Sequence, residues 1–193
     1  MPLANNEIMD YFLRAEALLK GHFLLTSGRH SDQYFQCAKV LQYPDYAAKL
    51  CGELAAYFKD DNIDKVIAPA MGGILVGWEV ARLLGKQFLF AEREKERFEI
   101  RRGFKIQPGE RILVCEDVVT TGGSVQEVID LVRKNGAVVA GAAYLVDRSN
   151  GKVDFGVKQK ATMTMSVISY SPEECPLCKQ NIPVVKPGSR KIF

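Results

Sequence analysis

Several common features are missing from this chain, and each absence removes a class of function. No apolar run approaches the ~20 residues that a membrane helix needs, so no membrane partner is expected. The opening MPLANNEIMDYF lacks the basic-then-apolar pattern of an export signal. The formal charge is only +3, too small to argue for a nucleic-acid partner. Cysteines number five, and an odd count without an export signal argues against a disulfide framework. There is no internal repeat, low-complexity tract or long linker. A cytoplasmic protein of one domain is expected.

What is present fits that expectation. A chain of 193 residues, 47% hydrophobic and 25% charged, can bury a full core. Ile8, Phe12, Ala15 and Leu19 share one helical face, with Asn5 or Asn6 to cap it and Gly21 to end it. A polar turn, TSGRHSDQ, leads to YFQCAKVL, which reads as a strand. PDYAAKLCGELAAYFKDDN reads as a helix, with Pro44 in its first turn. KVIAPA is short, continuous and apolar, as a strand covered on both faces should be. From there strand and helix alternate: GGILVGWEVARLLG, KQFLFAE, RILVCED, SVQEVIDLVRKNG, AVVAGAAYLVDR and TMTMSVISY. The alternation predicts an α/β domain with a mostly parallel sheet flanked by helices. Ligands of such sheets bind beyond the carboxyl ends of the strands, so VCED, APAMGG and LVDR should converge on one site. The tail after them is proline-rich and shows no helical period.

The stretch ILVCEDVVTTGGSV, residues 112–125, carries the chemistry. Glycines let backbone amides approach a ligand closely. Thr120, Thr121 and Ser124 add hydroxyl donors, and the following helix offers its unpaired N–H groups and positive dipole end. Together these suit a phosphate monoester. No lysine follows the glycines and there is no GxGxxG, which removes the Walker and dinucleotide motifs. Glu116 and Asp117 would repel a phosphate, so they must face another part of the same ligand. Vicinal ribose hydroxyls are the natural donors to them, and negative charge near an anomeric carbon favours a cationic transition state. Arg148, at the end of LVDR, can pair bidentately with a carboxylate or a pyrimidine carbonyl.

RILVCEDVVTTGGS resembles the phosphoribosyl diphosphate signature of the type I phosphoribosyltransferases. FLLTSGRHSDQYF, APAMGGI and YLVDR resemble segments of the branch of that family whose acceptor is orotate. CPLCKQNIPVVKPGSR resembles its shorter, Thermus-like form. The resemblance implies the type I fold in one domain, with an N-terminal hood over 1–40, an α/β core over 41–170 and a tail over 171–193. It implies transfer of the phosphoribosyl group to orotate, giving orotidine 5′-monophosphate and diphosphate in pyrimidine biosynthesis. Magnesium would be held mainly through substrate, with no direct ligand from the chain, and the protein would be a homodimer. By position, Glu116 and Asp117 are the catalytic pair. Glu116, Asp117, Val118, Val119, Thr120, Thr121, Gly122, Gly123 and Ser124 bind phosphoribosyl diphosphate, and Thr120 and Arg148 contact orotate. It also implies a cis peptide at Ala70–Met71.

The chain departs from its relatives where many carry lysines, here Thr26 and Gly72. The cationic segment 93–102 is expected to replace them as a mobile hood, most readily across a dimer. CPLC supplies two of the four ligands of a structural zinc. A reduced structural pair and a Cys₄ site shared by two subunits both remain open. His22 and His30 read as isolated, without a spacing that suggests a metal, and His30 at most lines the orotate pocket. A purine phosphoribosyltransferase and a non-catalytic regulator on the same fold are the competing readings. Arg148 and TSGRHSDQYF suit an acidic pyrimidine better than a purine, and a charge of +3 is small for an RNA-binding regulator.

Overall fold

The computed structural model describes residues 3–25, 27–165 and 168–186. Its elements are α1 (Asn5–Arg14), β1 (Leu18–Leu24), β2 (His30–Phe35), α2 (Cys37–Leu41), α3 (Pro44–Phe58), β3 (Lys65–Pro69), α4 (Gly73–Leu84), β4 (Gln87–Glu94), β5 (Arg97–Ile100), β6 (Arg111–Val119), α5 (Gly123–Lys134), β7 (Val138–Asp147), β8 (Gln159–Thr164) and α6 (Pro176–Lys179). None of these helices is long and apolar enough to cross a membrane.

Six strands form the central sheet in the order β5-β4-β3-β6-β7-β8. All neighbours are parallel except β5, which returns antiparallel on the β4 edge. Side chains alternate between faces along each strand, and the core follows that period. Val66, Ala68, Leu113 and Cys115 pack with α1 to α4 on one face. Ile67, Ile112, Val114 and Ala142 pack with Val125, Val128, Ile129 and Val132 of α5 on the other. The buried middles of β3 and β6, residues 66–68 and 112–115, are hydrophobic throughout because helices cover both sides of them.

Two local readings differ from the structure. Helix α1 stops at Arg14, not near Gly21. Its end is a left-handed stop in which Glu16 takes φ 50°, while the Glu16 and Ala17 N–H groups bond back to Leu13 and Phe12. That geometry usually recruits glycine; with glutamate in the position, the stop leaves no mark in the sequence. Leu19 and Gly21 are consequently strand residues. Asn5 and Asn6 lie inside the helix, and it is the Glu7 carboxylate that accepts from the Ala4 N–H, at 2.8 Å. The second difference is YFQCAKVL, which is not one strand. β2 ends at Phe35, and Cys37, Val40 and Leu41 then bury one face of the short helix α2. Five residues are too few for helical periodicity to stand out.

Outside the main sheet, β1 and β2 form an antiparallel hairpin, and the tail crosses both of its strands. Val185 bonds through its N–H to His22 and through its carbonyl to Leu24. Tyr170 and His30 exchange two backbone bonds of 2.9 Å each. This arrangement corrects the reading of His22 and His30 as isolated. The hairpin sets the two imidazoles side by side, with ring centres 4.8 Å apart, and the tail brings Cys175 and Cys178 against them. The tail also holds one turn of helix, α6.

Candidate active site

β3 and β6 lie next to each other and point the same way, so the loops after them meet beyond the sheet. Residues Ala70–Gly73 follow β3, and Thr120–Gly123 follow β6. The Ala70–Met71 peptide is cis, as expected by resemblance. A Cβ on Gly72 would stand 2.7 Å from Asp117 Oδ1, and one on Gly73 2.9 Å from Glu116 Oε1. Only glycine lets the two loops close to this distance. Gly72, where the resemblance leads one to expect a lysine, is therefore packed against a carboxylate. Thr26, the other such position, lies outside the described residues.

Glu116 is only 7% exposed. Burial raises its carboxyl well above the usual carboxylate range, and the adjacent Asp117 adds to the rise. Burial likewise raises Asp117, against hydrogen bonds that favour its ionised form. The Val118 N–H donates to Asp117 Oδ1 at 2.9 Å, while the Asp117 N–H donates to Glu116 Oε1 at 3.0 Å and there favours the ionised form of Glu116. No lysine or arginine forms an ion pair with either acid among the described residues. The sequence suggests two freely ionised acceptors; in the fold, desolvation disfavours the charged form of each.

The loop then turns at Gly122, with φ 79°, where a Cβ would meet Phe155 and Val153 at 2.8 Å. Helix α5 begins at the next residue, so its free N–H groups face the loop's hydroxyls. Thr120, Thr121 and Ser124 line a cavity of about 340 Å³ that also contains Glu116, Asp117 and Arg148. Every site residue anticipated from the sequence, Glu116 through Ser124 with Arg148, thus borders one space.

Arg148 is placed by two separate devices. Its N–H bonds to Val119 O at 2.8 Å, which fastens it to the end of β6. The buried Asp147 carboxylate accepts from the Ser149 N–H and hydroxyl, both at 2.7 Å, and from the Gly151 N–H at 2.9 Å, folding the chain back sharply. The Arg148 Nε is buried and has no hydrogen-bond partner among the described residues. Burial holds the guanidinium below its ordinary value, although an arginine stays charged nonetheless. Tyr34 stands beside it, 5.8 Å from ring centre to guanidinium carbon.

Four further polar residues line the cavity: Ser27 and Tyr34, both within FLLTSGRHSDQYF, Gln36 just after it, and Lys186 from the tail, which has no local signal in the sequence. Lys186 is brought in only because Val185 pairs with β1, a contact across more than 160 positions. His30, by contrast, does not line the cavity. Its side chain belongs to the cluster beneath the hairpin.

The segment 93–102 forms the β4–β5 hairpin and contributes nothing to the cavity wall. Three of its cations are engaged with acids: Arg93 with Glu127, Arg101 with Glu94, and Arg102 with Glu92. Among the described residues, Lys95 and Arg97 form no ion pair.

Residues 40–159 match the phosphoribosyl transferase domain family. The chain is 63% identical over 190 residues to an orotate phosphoribosyltransferase of Pelotomaculum thermopropionicum, covering 98% of this chain and 100% of that one. It is 58% identical over 188 residues to that of Chlorobaculum parvum, at 97% of each chain. Among solved structures it is similar to the orotate phosphoribosyltransferase of Aeropyrum pernix, with a TM-score of 0.70 and 27% identity over 82% of this chain and 93% of that one. An adenine phosphoribosyltransferase of Thermoanaerobacter pseudethanolicus also superposes, at TM-score 0.61 and 19% identity over 69% of this chain and 88% of that one. That second likeness extends to the fold alone.

Proposed function

The chain belongs to the orotate phosphoribosyltransferase family, and from that premise we propose how its site performs the reaction. The phosphoribosyl group passes from phosphoribosyl diphosphate to orotate, in pyrimidine biosynthesis. A bond forms between C1′ and a ring nitrogen of orotate as the bond from C1′ to the diphosphate oxygen breaks. The products are orotidine 5′-monophosphate and diphosphate. The observation that carries the reading is Arg148, a half-buried guanidinium whose buried Nε has no partner among the described residues, in a cavity that also holds Asp117 and the buried Glu116. Each is costly to the fold by itself, and the matching part of the substrate would remove that cost.

In this reading the 5′-phosphate rests on Val118 to Ser124, where glycine amides, three hydroxyls and the start of α5 converge. Glu116 and Asp117 accept from the ribose hydroxyls. As C1′ loses diphosphate it gains positive character, and the two carboxylates lie on the side that stabilises it. Thr120 and Arg148 hold orotate, Arg148 by charge-assisted bonds to its carboxylate or a ring carbonyl. The diphosphate lies against Ala70 to Gly73, where the absence of side chains at Gly72 and Gly73 leaves the backbone accessible.

Magnesium is part of the proposal. At the cavity the described residues offer only two adjacent carboxylates and no group of three acidic or histidine ligands. This fits a cation carried mainly on substrate oxygens, where it would neutralise diphosphate charge. A homodimer in the cytoplasm is also proposed. Leu75 and Trp78 of α4, with Met71 just ahead, expose an apolar stripe beside the site that a second copy would cover. Lys95 and Arg97, at the tip of the β4–β5 hairpin, are the cations available to reach a neighbouring subunit's diphosphate.

Diphosphate release measured with orotate, uracil, adenine, guanine and xanthine side by side tests the acceptor. Orotate should be the substrate used. Turnover with a purine in its place would overturn the assignment.

A further inference from the structure

The cluster beneath the hairpin plays no part in the reaction just described, yet its donors have a specific geometry. His22 lies in β1, His30 opens β2, and Cys175 and Cys178 flank the start of α6. One nitrogen or sulfur atom from each lies within 4.8 Å of all the others. His22 Nε2 is 2.8 Å from His30 Nδ1, 3.4 Å from Cys175 Sγ and 3.7 Å from Cys178 Sγ. Cys178 Sγ is 3.2 Å from His30 Nδ1.

These spacings can be set against a tetrahedral zinc site. Bond lengths of about 2.0–2.1 Å to nitrogen and about 2.3 Å to sulfur put ligand pairs about 3.3–3.8 Å apart. The nitrogen–sulfur separations fall within a few tenths of an ångström of that range. Of the four separations above, the nitrogen–nitrogen one must open by about half an ångström, and a pair at the 4.8 Å limit of the cluster must close by about 1 Å. The ring orientation agrees as well. His22 Nδ1 is 2.7 Å from the Ile182 carbonyl. A carbonyl has no proton to give, so Nδ1 must carry the hydrogen and donate it. The tautomer is thereby fixed with the Nε2 lone pair facing His30 and both sulfurs. A metal-bound histidine is usually oriented in this way, by a backbone carbonyl on its far nitrogen.

Without a metal, the same four groups make a poor network. His30 can donate to His22, but two thiols are weak donors and leave a buried polar cluster incompletely satisfied. His22, His30 and Cys175 are buried, so water is poorly placed to finish the job. We propose that this chain binds one zinc ion through His22, His30, Cys175 and Cys178, all from the same subunit. Two thiolates and two imidazoles in a closed tetrahedron suit zinc above harder cations. With four protein ligands there is no open position, which makes the ion structural. The proposal also replaces the Cys₄ site shared between subunits: the missing two ligands come from the chain's own hairpin.

The consequence reaches the active site. A two-stranded hairpin is marginal by itself, and this one supplies Ser27 and Tyr34 to the cavity while the tail supplies Lys186. Zinc would tie hairpin to tail at the point from which both wall segments extend. Lys186 follows Val185, whose two backbone bonds to β1 start from His22 and Leu24.

Purified wild-type protein should contain one zinc per chain by elemental analysis. Zinc-free protein should take up cobalt in the same proportion, giving the d–d bands of a tetrahedral ion and thiolate-to-metal charge transfer. Cys178→Ser should lose stoichiometric metal, and zinc should raise the melting temperature of the wild type but not of this variant. Folded wild-type chain that takes up neither ion overturns the proposal, and so does one metal per two chains. Cobalt spectra without thiolate charge transfer, or a Cys178→Ser variant that retains metal as firmly as wild type, would do the same. None of these readouts depends on which base the enzyme uses.

Discussion

Two regions of this molecule are dense in charge, and they are built on opposite principles. In the β4–β5 hairpin and its flank, Glu92, Glu94 and Glu127 each meet an arginine, and most of these side chains are well exposed. At the ends of β6 and β7, Glu116 and Asp117 are set against each other, and Arg148 is left with a buried nitrogen that has no partner among the described residues. Exposed pairs satisfy themselves and contribute little to stability. Buried charges without partners are costly, and they persist where a ligand supplies what the protein withholds. Charge density alone therefore does not mark a site; unmet charge does.

The contrast can be broken first at the acids. Asp117→Asn or Glu116→Gln removes an ionised acceptor placed for the ribose and for the developing positive charge. The expected loss in kcat/KM is about 10²–10³-fold, measured by diphosphate release. Near-normal turnover in both amides would remove the distinction between the two regions. Next in size is Arg148→Ala. Loss of a charge-assisted bond to a buried anion costs about 1.5–3 kcal/mol, or about tenfold to a hundredfold in affinity. It should appear in the KM for orotate and hardly at all in that for phosphoribosyl diphosphate. Equal changes in both would point to general disruption of the loop that Asp147 holds. The smallest effect belongs to the paired region. Arg93→Ala should lower stability by only about 0.2–1 kcal/mol in a denaturant titration, and less still in high salt.

The same contrast explains what the sequence could tell. Local signals marked the site's centre, because one continuous stretch of strand, two acids, glycine loop and helix start contains nearly all of it. The alternation of elements gave the parallel sheet, since β3 and β6 are apolar on both faces. Contacts over long separations were illegible. Nothing near Lys186 says that Val185 pairs with β1, and nothing near His22 says that Cys175 lies across from it. A CxxC shows half a ligand set, and the other half depends on a hairpin register. The stop of α1 at Glu16 was hidden for a different reason, because a residue that usually avoids left-handed backbone occupies it. The burial of Glu116 was equally invisible, since a carboxylate in sequence looks the same whether or not helices cover it.

The central claim is that the acidic pair is held against the protein's own stability for the substrate's sake. Burial raises both carboxyls, so the folded state keeps protons that the unfolded chain would release. Stability is then fully present below the ordinary carboxylate range and is lost as pH rises through the raised values. The direct test is the melting temperature of wild type and of Glu116→Gln/Asp117→Asn at neutral pH, each with and without phosphoribosyl diphosphate and magnesium. The double amide should melt higher than wild type when ligand-free and gain little from the ligand, while wild type gains substantially. A double amide that melts lower than wild type yet is stabilised as strongly by phosphoribosyl diphosphate would contradict the claim.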